Sequence, residues 1–194
     1  MDIFNVGDRS INMYLLDAKH GQLMVDCGWP GAIRPLYDRL KSAGISKDIR
    51  YLLITHFHPD HAGLTQELKN NGTKLLLLEN QAEGIAWLNN FFAKQKKYHY
   101  LAITSEDNIP LKFADSRKFL NEMKMNGEII PTPGHSDDHV TLILDEGCAF
   151  TGDLPPHDAF KGMINDKMIG ESWRRILGYH IKRIYPGHGN NKDL

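Results

Sequence analysis

The sequence predicts an α/β fold in which β-sheets are layered face to face with helices outside. Three observations carry this. Apolar segments of strand length recur in both halves of the chain. Helical periods fall between them rather than in a block of their own. The third is size: 194 residues, 41% of them hydrophobic, suit one sizeable core, so residues 1–194 are read as a single domain.

In chain order, INMYLLD (11–17) and QLMVDCG (22–28) read as strands joined by a turn at Lys19–Gly21. PGAIRPLYDRLKSAG (30–44) places Ile33, Leu36, Tyr37 and Leu40 at helical spacing and closes on Gly44. RYLLITH (50–56) is a continuous apolar run suited to a strand buried on both faces. A helix from about Ala62 to Asn70 and a strand TKLLLLE (73–79) follow. Residues 80 to 126 are less regular: EGIAWLNNFFAKQ reads as a helix with an aromatic side, and ADSRKFLNEM as a helix with Asp115 or Ser116 near its start. GEIIPT (127–132), HVTLILD (139–145) and GCAFTGD (147–153) return to strands. A Gly/Pro/Met-rich loop (154–170), a short helix SWRRILGYHI and a last strand and loop KRIYPGHG complete the chain.

Bulk properties narrow the function. A formal net charge of −1 offers no broad field for nucleic acid or anionic lipid, so a small-molecule substrate is expected and nucleic acid is disfavoured. The basic-aromatic run KQKKYHY (94–100) is read as a solvated helix end rather than a nucleic-acid patch. The start, MDIFNVGDRSINMYLLD, has no basic segment followed by an apolar core, so no secretory leader is expected. No apolar run approaches the roughly 20 residues of a membrane helix. Cys27 and Cys148 follow no zinc-ligand spacing and read as small buried thiols in a reducing cytoplasm.

The chemistry lies where strands end. RYLLITHFHPDH delivers His56, His58, Asp60 and His61; GEIIPTPGH delivers His135; CAFTGD delivers Asp153; KRIYPGH delivers His188. Imidazole with carboxylate suits zinc and other borderline divalent ions. Alternate residues of an extended backbone face one way, so His56 and His58 can grip one ion, while Pro59 turns Asp60 and His61 toward a second. Seven donors exceed one tetrahedral zinc and fit two ions roughly 3.5–4 Å apart with a hydroxide between them.

THFHPDH, TPGH, TGD and PGHG, preceded by LMVDCG, resemble the motif set of the metallo-β-lactamase superfamily across Gly21 to Gly189. The resemblance implies an αββα sandwich, two mixed sheets flanked by helices, with the metals at the edge where the sheets meet. It implies His56, His58 and His135 on the first ion, Asp60, His61 and His188 on the second, and Asp153 bridging both. Asp26 matches the acid that orients ligands rather than binding metal. His20, His99, His139, His157 and His180 are read as non-ligands, with His139 and His157 as candidates for the pocket wall. Thr55 and Thr132 are candidate hydrogen-bond partners of the ligands.

The expected activity is hydrolysis by a metal-bridging hydroxide, with Asp60 orienting it and accepting its proton. Two divalent ions are expected, zinc first, with iron or manganese as alternatives. Small esters, thioesters or lactones are the leading substrates, as in short glyoxalase II-like and lactonase-like members. A phosphodiesterase or nuclease, or a non-catalytic metal-binding protein, is the alternative. Specificity is assigned to residues 80–126 and 154–170, where Trp87, Phe91, Phe92, Tyr98 and Tyr100 form either a pocket wall, ordinary core or a homodimer surface. Asp137 and Asp138 are read as a turn, with acid placed at the pocket mouth as the alternative.

Overall fold

The computed structural model describes residues 1–18, 21–163 and 165–194. His20 and most of the expected turn at Lys19–Gly21 lie outside the described residues. Two sheets organise the rest. The first runs in the order β1 (Asp2–Asn5), β2 (Tyr14–Ala18), β3 (Gly21–Val25), β4 (Tyr51–Leu53), β5 (Lys74–Leu78) and β6 (Asn108–Leu111). Its first three strands pair antiparallel, and β3 to β6 pair parallel. The second has the order β11 (Lys192–Asp193), β10 (Arg183–Pro186), β9 (Cys148–Gly152), β8 (Val140–Leu144) and β7 (Gly127–Pro131). There only β9 and β10 run parallel. Both sheets are mixed, as expected.

Strand alternation sorts the apolar side chains into layers. Leu16, Leu23, Leu53 and Leu76 of the first sheet meet Ile129, Val140, Leu142 and Phe150 of the second in one buried cluster. Their neighbours Leu15, Met24, Leu52 and Leu75 face the opposite way. They pack with Leu36 and Leu40 of α1 (Ile33–Ser42), Leu68 of α3 (Thr65–Asn70) and Leu88 of α4 (Ala82–Ala93). On the far side, Ile143 and Ala149 pack with Ile169, Trp173 and Ile176 of α6 (Asp166–Leu177). The result is helix, sheet, sheet, helix. The remaining helix α5 (Phe113–Glu122) adds Leu120 to the inner cluster.

Several boundaries differ from the sequence expectation. β4 stops at Leu53 rather than His56, and the chain bends at Thr55 and His56. The helix expected from Ala62 is split: α2 (Pro59–Ala62) is a single turn, and α3 starts at Thr65. Pro59 suits that start, since its missing N–H is unneeded in a first turn. α6 begins at Asp166, inside the expected loop and six residues before Ser172. β1, β6 and β11 were not expected. Ser116 does not cap α5; its hydroxyl donates to Phe113 O and accepts the Ile129 N–H, tying the helix to β7.

Candidate metal centre

Five strand ends meet at one edge of the sandwich. β3 leads to Asp26, β4 to residues 55–61, β7 to His135, β9 to Asp153 and β10 to His188. Backbone hydrogen bonds lock these loops together across the sheets. The Val140 N–H donates to Thr55 O at 2.8 Å, and the Gly187 N–H to Gly152 O at 2.7 Å.

All seven sequence-predicted residues converge there. His56, His58 and His135 form one group; His56, His61 and Asp153 a second; Asp60, His61 and His188 a third. Within each group the ligand-type atoms lie within 4.8 Å of one another. His56 and His61 are fully buried, whereas the His188 side chain is 43% exposed, so the site opens on the His188 side. Asp153 Oδ1 lies 3.1 Å from His61 Nε2 and 3.4 Å from His188 Nε2, and Asp153 Oδ2 lies 3.7 Å from His135 Nε2. That position in the middle of the set fits a bridging carboxylate.

The donors fit a cation better than they fit each other. His56 Nε2, His61 Nε2 and Asp153 Oδ1 are buried without a hydrogen-bond partner among the described residues. Leaving such atoms unpaired is costly, and a divalent ion is what this donor set would satisfy. The His61–Asp153 approach is a close ion pair rather than an aligned hydrogen bond.

Electrostatics divide the imidazoles. Burial, followed by the surrounding imidazoles, holds His56 well below its ordinary range. Burial also lowers His58 and His135, although Asp138 opposes it at the first and Asp153 at the second. All three are therefore neutral, as ligands must be. His61 goes the other way: burial opposes its charge, but Asp26 and Asp153 outweigh burial and push it up to about 10. Asp153 shows the reciprocal effect. Burial works against its charge, yet His61, then His188 and His135, hold it down to about 2. The proton that His61 keeps between two carboxylates stands in for the positive charge of an ion.

The supporting layer is explicit. Asp26 sits in the left-handed region at φ 59°, which Asp tolerates better than most residues. Its buried carboxylate accepts from the Thr55 N–H at 2.7 Å and lies 2.8 Å from His61 Nδ1. Thr55 Oγ1 donates to Asp26 and lies 3.1 Å from His56 Nδ1. Thr132 does not reach a ligand; its hydroxyl pairs with His139 Nδ1 and Thr141 Oγ1. His139 is buried beneath the site with its ring 5.2 Å from that of His56, and burial pushes it down to about 3. His157 lies against Trp173 and lines a small apolar slot next to His188. His99 and His180 are exposed.

Sequence reading missed several contributors. Asp138, expected as a turn residue, is buried, and its carboxylate accepts the Phe57 N–H at 2.7 Å, in the middle of the His56–His58 segment. The Gln81 amide donates to Ile54 O at 2.8 Å. The Ser10 carbonyl meets His188 Nδ1 at 2.5 Å, and the Asn12 amide donates to Pro186 O and Gly189 O. Each acts across tens of residues of sequence and leaves no local pattern. The aromatic residues divide: Phe92 is core, while Trp87 is 49% exposed with its ring 5.5 Å from His58. In KQKKYHY, Lys96 and Lys97 are exposed while Tyr98 and Tyr100 pack against the core, which matches a solvated helix end.

Comparison with known proteins agrees with this picture. The "Metallo-beta-lactamase superfamily" profile matches residues 6–188. "Beta-lactamase-like protein 2 homolog" of Drosophila melanogaster is 31% identical over 186 residues, covering 94% of this chain and 59% of that protein. "Atrochrysone carboxyl ACP thioesterase" of Aspergillus fumigatus is 25% identical over 185 residues, covering 93% of this chain and 51% of its own length. The chain thus spans between half and three-fifths of these two curated relatives. Among solved structures, TTHA1623 in a di-iron-bound form superposes with a TM-score of 0.73 at 22% identity, covering 100% of this chain and 94% of that one. With the profile spanning nearly its whole length, this chain belongs to the metallo-β-lactamase superfamily.

Proposed function

We propose that the chain is a dinuclear metal-dependent hydrolase acting on a small ester, thioester or lactone. One observation carries the reading: seven imidazoles and carboxylates from four loops meet, with buried donor atoms that have no hydrogen-bond partner among the described residues. His56, His58 and His135 would hold one ion, Asp60, His61 and His188 the other, and Asp153 would serve both. Zinc suits this mixed set, and iron and manganese also accept it. The di-iron form of TTHA1623 supports a pair of ions on this fold. When bound, such ions lower the pKa of a water from about 15.7 to roughly 7 and polarise a carbonyl or phosphoryl oxygen.

The chain's own residues do the rest. Asp60, 24% exposed and 3.3 Å from His188 Nε2, orients the attacking water and accepts its proton. Asp26 fixes the ring of His61 through Nδ1 and leaves Nε2 for the site. The Ser10 carbonyl does the same for His188. The relative named as an acyl-carrier thioesterase supports an acyl substrate. Two free cysteines, Cys27 and Cys148, accord with a reducing cytoplasm.

The test is a parallel assay of metal-loaded protein on thioesters, lactones, a cephalosporin and bis(p-nitrophenyl) phosphate. Turnover of the acyl substrates, abolished in His58→Ala and Asp60→Ala, is the expected result. Turnover of the phosphodiester alone would overturn the substrate class.

A further inference from the structure

A cleft of about 410 Å³ is lined in part by His58, and His188 is not among its lining residues. That volume falls within the range of small-molecule sites, roughly 300–1,000 Å³. Its wall has two features that the metal centre does not use. Trp87 offers an exposed indole face, held by stacking on Phe91 with ring centroids 5.5 Å apart and planes 20° apart. The charged lining, apart from the His58 imidazole, consists of the carboxylates of Glu83, Asp137 and Asp138. No lysine or arginine lines it among the described residues. Asp138 is occupied in part by the Phe57 N–H, whereas Glu83 and Asp137 are exposed and free to act on a ligand's charge.

We propose that this cleft seats the non-reacting part of the substrate and takes a flat group that is uncharged or cationic, with Trp87 as stacking face and Glu83 and Asp137 as charge filter. The inference rests on the hydrolase reading and gives it a substrate class. The physical reasons are two. An exposed indole attracts planar groups and cations through its ring face. Carboxylates on a concave wall repel anions and concentrate cations. Nucleic acid and phosphorylated or sulfonated acyl compounds are excluded from this side. A second pocket beside His135 and His188, walled by Leu154, Pro155, Pro156 and Pro186, has Asp153 as its one carboxylate among the described residues.

The experiment uses three S-aryl thioacetates identical except at the para position: trimethylammoniomethyl, methyl and sulfomethyl. The methylene keeps the leaving-group chemistry nearly constant. The three S-ethyl thioethers, which cannot be hydrolysed, are titrated by calorimetry into the metal-loaded protein. In both readouts the cationic member should exceed the anionic one by about tenfold. Glu83→Gln with Asp137→Asn, both exposed positions, should cut that ratio to about twofold or less. Trp87→Ala should weaken binding of all three by about fivefold. Equal or reversed preference, or a ratio unmoved by the double substitution, overturns the proposal. Absence of turnover with the charge order retained in calorimetry would sink the hydrolase reading alone and leave the cleft's selectivity standing.

Discussion

At the scale of single residues, His61 is the most informative side chain. Its imidazole lies between Asp26 and Asp153, and these carboxylates hold its pKa up to about 10 in the ion-free protein. His56, His58 and His135 are lowered and already neutral. Metal binding at pH 8 should therefore expel about two protons per chain, one from His61 and one from the water that becomes hydroxide. Calorimetric titration in buffers of differing ionisation enthalpy measures that number; a value near one would mean that His61 has an ordinary pKa. Asp26 predicts a second outcome. Asn also tolerates positive φ, so Asp26→Asn keeps the backbone while removing the charge beside His61 Nδ1. Metal affinity should fall by about 10–100-fold in chelator competition, with the circular dichroism spectrum preserved. The seven candidate ligand residues were legible because their loops follow apolar runs and contain Gly or Pro. Asp138 was not: an Asp after Ser-Asp looks like turn chemistry, and its partner Phe57 is 81 residues away.

At the scale of elements, the segment His56–His61 owes its shape to its neighbours. It is neither strand nor regular helix; a bend after β4 and the single turn α2 hold it. Asp138 from the β7–β8 connection caps the Phe57 N–H, while Gln81 ahead of α4 holds Ile54 O and Asp138 O. Asp138→Ala should thus leave a buried donor unpaired, at a cost of about 1–3 kcal/mol. Denaturant melts should show that loss in midpoint at unchanged slope, and an unchanged midpoint would contradict the tether. Elements with strong patterns were read correctly: β5 carries four leucines in a row, β7, β8 and β9 hold short apolar runs such as Ile129–Ile130 and Leu142–Leu144, and α1 and α5 keep a helical period. The missed strands lack such signals. β1 is four residues with exposed ends, β6 contains Pro110, and β11 is two residues long. The start of α6 was hidden because Met168 and Gly170 give its first turns a loop-like composition.

At the scale of the whole molecule, the two sheets share an inner core, and their loops share the candidate metal centre. His56, His58, Asp60 and His61 follow the first sheet, whereas His135, Asp153 and His188 follow the second. Bound ions would therefore cross-link the halves. At ion concentrations near 100 times Kd this adds about 2.7 kcal/mol for each of the two sites, about 5 kcal/mol together. Stripping the metal with a chelator should lower Tm by about 10–20 °C. The layered architecture was legible because mixed strand and helix periods in both halves allow few other packings. The cleft beside His58 was not, since it is assembled from α4 and the β7–β8 connection, which are distant in sequence.

The most direct test is the metal content of the protein after reconstitution with excess zinc and removal of unbound ion by gel filtration. Elemental analysis should give about two equivalents per chain. A content well under one equivalent, from protein that remains folded, would contradict the dinuclear centre on which the proposed chemistry depends.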